Sequence, residues 1–333
     1  MLNEFSLIQR YFANEKAQRA DVKFGIGDDG AVTRPLPGHD LVTVTDTMVE
    51  GVHFDHSTPA RAIGHKIIAV NLSDLAAMGA EPCWVSLALT LPESNPEWLQ
   101  EFAAGLHEIC DYYNCSLIGG DTTRGPLTVT VTAHGQVPEG EAIPRSGAKP
   151  GDWIYVSGPL GDAGLALDIT QQKISARGPY AQHLIERLHY PGPRVALGQS
   201  LRSIASSCID ISDGLVADLQ HILEASKAGA DIIMEELPLS LAMTETLTQA
   251  EAYKKALSAG DDYELCFTVD EHNRGRLETL TAHLKDKPAC IGRVTQNKQP
   301  LIHFKLHGEP YEVQLEQAGY NHFMSSGSDQ GNR

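Results

Sequence analysis

Hydrophobic residues recur along the chain at spacings that predict both helices and strands. In residues 2–13, Phe5, Ile8 and Phe12 fall on one helical face, which predicts a short amphipathic helix. In residues 127–137, valines alternate with threonines, as expected for a strand with one buried face. Further strands are predicted at residues 41–45, 84–91 and 116–118.

Two helix starts are predicted from local capping signals. Thr58 followed by Pro59 is typical of an N-cap with proline in the first turn, and the helix then extends to residue 78 before Gly79. Ser94 and Glu97 form a capping-box pattern that predicts a helix ending near residue 113.

A polar segment rich in glycine and proline, residues 138–152, interrupts this alternation. A new strand at residues 153–157 follows it, and helices and strands alternate again to about residue 323. We therefore expect an N-terminal α/β domain at 1–138, a linker at 139–152, a C-terminal α+β domain at 153–323 and a flexible tail at 324–333. The fold class is α+β, or mixed α/β, because both halves combine helices and strands.

Composition and net charge limit the classes of partner that this chain is expected to bind. The 333 residues carry a formal net charge of −17, which argues against nucleic-acid binding and against docking on anionic membranes. The N-terminus lacks a signal-peptide pattern and the six cysteines lack metal-ligand spacing, so we expect a cytoplasmic protein with reduced, mostly buried thiols. If its substrates are phosphates, a cation must lie between them and this acidic chain.

Aspartates recur beside glycines at the ends of predicted elements, at residues 28–29, 46, 121, 210, 213 and 261–262. Ordinary turn chemistry could explain each of them singly. Asp74 is more informative, because it lies inside the helix at 59–78, on the apolar face and one turn after Asn71. A buried carboxylate is costly unless it is paired or binds a metal, so either a salt bridge or a cation site is expected there.

Other acidic residues are placed by strand alternation. Asp210 and Ser212 share the polar face of one strand, Asp46 ends the strand at 41–45, and Asp213 either joins the site or caps the following helix. Dispersed aspartates with few Cys or His ligands favour Mg²⁺. Arg145 is either a phosphate clamp or a solvated loop charge.

Familiar nucleotide-binding motifs do not account for this pattern. Gly25, Gly27 and Gly30 match the dinucleotide fingerprint in letters only, since two aspartates occupy the loop and no strong strand precedes it. No Walker A loop and no protein-kinase signature is present. The glycines at 158, 161 and 164 are typical of a plain strand–helix turn.

Eight segments together resemble the thiamine-monophosphate kinase family, in the same order along the chain. They are GIGDDGAV (25–32), VTDTMVEGVHF (44–54), AVNLSDLAAMGAEP (69–82), LIGGDTTRG (117–125), RSGAKPGDWIYVSG (145–158), IDISDGL (209–215), GDDYELCF (260–267) and GYNHF (319–323). The resemblance implies a two-domain fold of the aminoimidazole-ribonucleotide-synthetase-like superfamily, a homodimer formed through the N-terminal sheet, and ATP bound between the domains.

The resemblance also implies the reaction, which is direct in-line transfer of a phosphoryl group from ATP to thiamine monophosphate in the last step of thiamine diphosphate synthesis. Several Mg²⁺ ions would serve as cofactors. The implied metal ligands are Asp29, Thr45, Asp46, Asp74, Asp121, Asp210 and Asp213, and of these Asp46, Asp74, Asp121 and Asp210 are the expected catalytic residues. ATP would contact Gly120, Asp121, Arg145 and Ser212, and the acceptor would contact His53, Asp261 and Tyr320.

Two positions depart from the family pattern. Asp261 stands where the family usually has Glu, which keeps the charge and shortens its reach, and Val44 replaces a frequent Ser. The alternatives are another ATP-using enzyme of the superfamily, such as the aminoimidazole-ribonucleotide-synthetase type, or a non-catalytic module that binds nucleotide and Mg²⁺. A selenophosphate-synthetase-like activity is disfavoured because the first cysteine is Cys83.

Overall fold

The computed structural model describes residues 4–13, 19–176, 178–284, 287–297 and 299–315, with only the backbone of residues 4 and 5. The N-terminal part contains α1 (Glu4–Tyr11), β1 (Val22–Phe24), β2 (Val32–Thr33), β3 (His39–Val49), α2 (Ala60–Ala77), β4 (Glu81–Leu91), α3 (Pro96–Tyr112), β5 (Ser116–Arg124) and β6 (Thr128–Pro138). A four-stranded sheet in the order β3-β6-β4-β5 forms the N-terminal lobe together with α2 and α3, and β1 and β2 make a small separate hairpin.

The second part of the chain forms the C-terminal lobe. Its elements are β7 (Trp153–Val156), α4 (Asp162–Thr170), α5 (Pro179–His189), α6 (Val195–Ser200), β8 (Ala205–Asp210), α7 (Leu215–Ser226), β9 (Gly229–Ile233), α8 (Leu241–Thr246), α9 (Gln249–Ser258), β10 (Leu265–Val269), α10 (Arg274–Thr281), β11 (Ala289–Thr295), β12 (Ile302–Leu306) and β13 (Glu309–Pro310). Seven of these strands form one sheet in the order β13-β12-β9-β11-β7-β10-β8.

Helix α2 lies between the two sheets. It contacts β3 and β6 on one side and β8 and β10 on the other. Alternation along β10 explains the packing, because Leu265 and Phe267 join the core around α2 while Cys266 joins the core beneath α7 and α9. A helix buried on nearly all sides is apolar all round rather than amphipathic, as the residues of α2 are.

Three local predictions were wrong in detail. The strand containing Asp46 does not end there but extends to Val49, because β3 pairs with β6 along its whole length. Helix α3 is capped by Asn95, whose side chain accepts from the N–H groups of Glu97 and Trp98. Pro59, rather than Thr58, is the N-cap residue of α2, and the Thr58 hydroxyl donates to Asp55 instead.

The segment between the lobes is bonded to both of them. The N–H of Ile143 donates to Met78 at the end of α2, and the N–H of Cys208 in β8 donates to Pro144. Arg145 therefore follows a residue that is fixed beside β8. All the cysteines are free thiols, mostly buried, as predicted. No helix in the described part of the chain is long and apolar enough to cross a membrane.

Candidate active site

A cleft of about 720 Å³ opens between the two lobes, a volume suited to small-molecule substrates. We call it the interlobe cleft. It is lined by seven of the predicted site residues, from both lobes: Asp46, His53, Asp74, Asp210, Ser212, Asp213 and Asp261.

Three carboxyl groups meet at the floor of the interlobe cleft. Asp74 of α2 is close enough to Asp46 on β3 and to Asp210 at the end of β8 for the three carboxyl groups to shift one another's pKa values. Burial, together with repulsion from Asp210 and Asp46, raises the pKa of Asp74 to about 9. Burial raises the pKa of Asp210 to about 6, partly offset by the neighbouring Ser73, and burial also raises the pKa of Asp46. Such crowding of like charges is costly unless a proton or a cation is bound.

A fourth buried carboxyl group, that of Asp218, hydrogen-bonds the loop next to this cluster. Oδ2 of Asp218, in the first turn of α7, accepts hydrogen bonds from the N–H groups of Asp213 and Gly214 at 3.0 and 3.1 Å. Burial, followed by repulsion from Asp210, raises the pKa of Asp218 to about 8. Asp213 is not the helix cap, since Gly214 occupies the N-cap position of α7. Asp218 therefore fixes the loop that carries Asp213.

The alternative of a salt bridge at Asp74 is not supported. Among the described residues, no Lys or Arg is recorded within ion-pair distance of Asp74. The positive charge of Arg145 lowers the pKa values of Asp74 and Asp210, although Arg145 itself is exposed and does not line the cleft. Arg145 is thus close enough to act on the cluster electrostatically and free to meet an anion.

These donors suit Mg²⁺, which prefers carboxylate oxygens, water and substrate phosphates. Within the described residues, no group of three or more Asp, Glu, His or Cys side chains is arranged so that it could hold a metal ion by itself. A hard cation bound by a few carboxylates, with the remaining positions filled by water and phosphate oxygens, is consistent with both observations.

His53 enters the cleft with a defined tautomer. Its Nδ1 accepts the N–H of Val49 at 3.0 Å, so the ring proton of the neutral imidazole is on Nε2.

Several predicted site residues lie outside the cleft lining. Thr45 projects from the opposite face of β3 to Asp46, and its hydroxyl bonds Thr132 across the sheet. Asp29 is in an exposed loop after β1, and Asp121 is exposed on β5. Gly120 has a structural reason to be glycine, since a Cβ there would lie 1.8 Å from the carbonyl oxygen of Leu87. Tyr320 lies outside the described residues.

The acidic motif at 260–264 divides into two groups. Asp261 lines the cleft, whereas Asp262 is buried and accepts the N–H of Gly161 at 2.7 Å. Glu264 is fully buried, where it binds Arg187, Arg194 and the Ser157 hydroxyl. Asp262 and Glu264 therefore hold the motif in place, and Asp261 alone of these three faces the ligand space.

Sequence reasoning missed two lysines of the cleft wall. Lys66 of α2 forms an ion pair with Asp261, and Lys255 of α9 pairs with Asp168 of α4. Lys66 precedes Asp74 on the same helix by about two turns, so the two share one side of it. That spacing of two charged residues within a mostly buried helix was the available signal.

Known proteins match this chain over nearly its whole length. Family models match the chain at residues 27–137, as the N-terminal domain of AIR synthase related proteins, and at residues 149–304, as their C-terminal domain. The thiamine-monophosphate kinase of Escherichia coli O157:H7 is 48% identical over 323 residues, which cover 97% of this chain and 98% of that protein. The chain belongs to the thiamine-monophosphate kinase family.

Further members of the thiamine-monophosphate kinase family agree in sequence and structure. The protein of Bacillus subtilis is 33% identical across 97% of this chain and all of its own length. The crystal structure of the Stenotrophomonas maltophilia K279a protein has a TM-score of 0.82 at 45% identity, covering 88% of this chain and 93% of that one. AaThiL, complexed with AMPPCP and TMP, has a TM-score of 0.75 at 30% identity, covering 90% and 92%. The predicted two-domain α+β fold and the predicted family are confirmed.

Proposed function

We propose that this chain transfers the γ-phosphoryl group of ATP to the phosphate of thiamine monophosphate, giving ADP and thiamine diphosphate. The observation that carries the proposal is the meeting of Asp46, Asp74 and Asp210, from both lobes, on the floor of one cleft. Membership of the thiamine-monophosphate kinase family, and the AMPPCP and TMP complex of AaThiL, support the choice of donor and acceptor.

The chemistry requires positioning more than covalent participation by the protein. A phosphate oxygen of the acceptor forms a bond to the γ-phosphorus of ATP while the bond to the β,γ-bridging oxygen breaks, and ADP leaves with that electron pair. Because a phosphate oxygen is already deprotonated near neutral pH, no general base is needed. Bound Mg²⁺ would neutralise charge on the phosphates during transfer.

Roles for the remaining residues follow from their positions. Asp46, Asp74, Asp210 and Asp213 would hold Mg²⁺, and Ser212 with Arg145 would contact the nucleotide. His53 and Asp261 would contact the acceptor from the cleft wall. Five further residues stay as ligands or contacts predicted from the family resemblance: Asp29, Thr45, Gly120, Asp121 and Tyr320.

A homodimer formed through the N-terminal sheet is also part of the proposal. The outward face of β3 is exposed in the described chain and includes Leu41, which is 50% exposed, beside threonines 43, 45 and 47. Covering this face would bury apolar and hydroxyl groups that a monomer leaves in water. Sedimentation of the purified protein at twice the monomer mass is the expected result.

The test of the function is ADP release by the purified protein. We expect ADP to form from MgATP only when thiamine monophosphate is present. ADP formation driven instead by a different phosphate acceptor would indicate another enzyme of the superfamily. Nucleotide binding without ADP release under either condition would indicate a non-catalytic module.

A further inference from the structure

Lys66 is a buried cation on the wall of an acidic site, and the metal cluster does not involve it. Its side chain is about 8% exposed, and its Nζ lies 3.2 Å from Oδ2 of Asp261. Ile63, Ile67 and Val70 surround it on α2. A buried ion pair is weak evidence for stability, because apolar residues of similar volume often replace such pairs without loss. Fold stability alone therefore does not explain a lysine at this position.

Both oxygens of the carboxylate that Lys66 binds have a partner within the protein. Oδ1 of Asp261 accepts the Tyr263 hydroxyl at 2.9 Å, while Lys66 binds Oδ2. The N–H of Asp261 donates to the carbonyl of Ser212 at 2.9 Å, and the N–H of Tyr263 donates to Ile211 at 2.8 Å. Backbone hydrogen bonds thus attach the Asp261 loop to the segment that carries Asp210 and Asp213.

The backbone at this point is also in an unusual conformation. Asp261 has φ +67° and Tyr263 has φ +50°, both in the left-handed region that side-chain-bearing residues rarely adopt. Such a conformation is strained and persists where the surroundings impose it, commonly at ligand-binding sites. A strained, doubly anchored carboxylate that still lines the cleft is suited to orient a ligand.

We propose that Lys66 is a positioning residue for the acceptor, acting through Asp261. By fixing one carboxylate oxygen, the lysine holds Asp261, which lines the cleft, in a single orientation, and each oxygen keeps a lone pair that can accept from a ligand. The ligand group recognised there is a hydrogen-bond donor or cationic nitrogen of a heterocyclic phosphate monoester. This inference rests on the proposed function, since it assigns the acceptor to the Asp261 side of the cleft.

The test compares Lys66→Met, Asp261→Asn and the double variant in steady-state kinetics. Met keeps the length and apolar stem of lysine and removes the charge. We expect Lys66→Met to raise the KM for thiamine monophosphate by about tenfold, as loss of one charge-assisted contact would, and to leave the KM for ATP within about twofold. The double variant should be no worse than Asp261→Asn alone, because both changes remove the same interaction.

Two further variants keep the test decisive. Lys66→Arg retains a cation and should restore most of the acceptor KM. Tyr263→Phe removes the second anchor of Asp261 and should raise the same KM more modestly, which tests the idea even if Lys66→Met does not fold. Lys305→Met breaks a similar pair, with Asp231 at 2.7 Å, away from the cleft and should change neither KM.

The contrary results are equally specific. Additive effects of Lys66→Met and Asp261→Asn, or an equal rise in the KM for ATP, would show that Lys66 does not act through Asp261. A fall in melting temperature with both KM values unchanged would make Lys66 a purely structural residue. Wild-type protein without thiamine monophosphate turnover would overturn the proposed function and this assignment together, whereas normal wild-type turnover with any of those variant results would overturn this assignment alone.

Discussion

The carboxyl group of Asp74 on α2 lies beside the Asp210 carboxyl group at the end of β8, and the charge of Asp210 helps to raise the pKa of Asp74 to about 9. This contact joins the two lobes through a pair of groups that repel each other when both are ionised. It is stable in the metal-free protein only while a proton is retained, and the same oxygens become available to a cation once that proton leaves.

Asp74→Asn is predicted to abolish turnover without unfolding the protein. Asn is nearly isosteric and cannot ionise, so it removes the repulsion that an ionised Asp74 would exert on Asp46 and Asp210, and the melting temperature of the metal-free protein should stay level or rise. Phosphoryl transfer should fall by at least about 100-fold, because one negative charge of the cation site is lost. Asp231→Asn, on the far part of the C-terminal sheet, is the control and should retain activity. A large fall in melting temperature for Asp74→Asn would instead indicate an ion pair that stabilises the fold.

The stability of the metal-free protein should decrease as the pH rises. The pKa of Asp74 is raised to about 9, that of Asp218 to about 8 and that of Asp210 to about 6, so above pH 4 these three groups hold more protons in the folded state than in the unfolded chain. The stabilisation present below the ordinary carboxyl pKa is therefore lost as the pH rises toward 9.

Mg²⁺ should reverse this trend. Its binding requires ionised carboxylates, so it should tighten with pH and raise the melting temperature more at pH 8.5 than at pH 6. Thermal unfolding measured across pH, with MgCl₂ or with EDTA, checks both expectations. A Mg²⁺ effect that is independent of pH, or equal in Asp74→Asn, would place the ion elsewhere.

Gly120→Ala is predicted to destabilise the protein, because the added methyl group would meet the carbonyl oxygen of Leu87 at 1.8 Å. The strands β4 and β5 must separate to admit it, at a cost of about 1–3 kcal/mol. Gly119→Ala is the matched control, since nothing lies within 4 Å of its added methyl group. Urea unfolding of the two variants should differ clearly, and equal midpoints would show that close strand approach is not the reason for glycine at 120.

Glu264→Gln should act on stability, in contrast to variants of Asp261. Glu264 is fully buried between Arg187 and Arg194, and neutralising it removes the carboxylate charge that both guanidinium groups bind. Burial raises its pKa, but the hydrogen bonds and charges of the two arginines outweigh this and lower it overall. Removing one member of such a buried group costs about 3–5 kcal/mol. Urea unfolding checks this value, and a stable Glu264→Gln with a raised acceptor KM would reassign Glu264 to substrate binding.

Periodic apolar residues and glycine-flanked acids are local signals, so the sequence predicted the alternation of elements and the aspartates of the cleft. The family was predicted from the resemblance of eight segments. The sequence did not predict that α2 is buried between two sheets, since that depends on how the lobes pack. For the same reason Lys66 went unnoticed, as its partner Asp261 is far along the chain. The sequence also misplaced the end of the strand that contains Asp46, because β3 continues to pair with β6 beyond that residue.

The division of the acidic motif at 260–264 was equally hidden from sequence reasoning. Asp261 and Asp262 read as one pair of like charges, but the left-handed backbone at Asp261 turns one side chain to the cleft and the other to Gly161. Only the arginines that meet Glu264 in the folded chain show that its role is structural.

³¹P NMR of the reaction mixture tests most directly whether the chain carries out Mg²⁺-dependent phosphoryl transfer from ATP to the phosphate of thiamine monophosphate. With wild-type protein, ATP and MgCl₂, the phosphomonoester signal of thiamine monophosphate should disappear while the two coupled phosphorus signals of thiamine diphosphate and those of ADP appear in equal amounts. EDTA should stop the change. A phosphomonoester signal that persists while ATP is consumed, or transfer that continues undiminished in EDTA, would contradict the account.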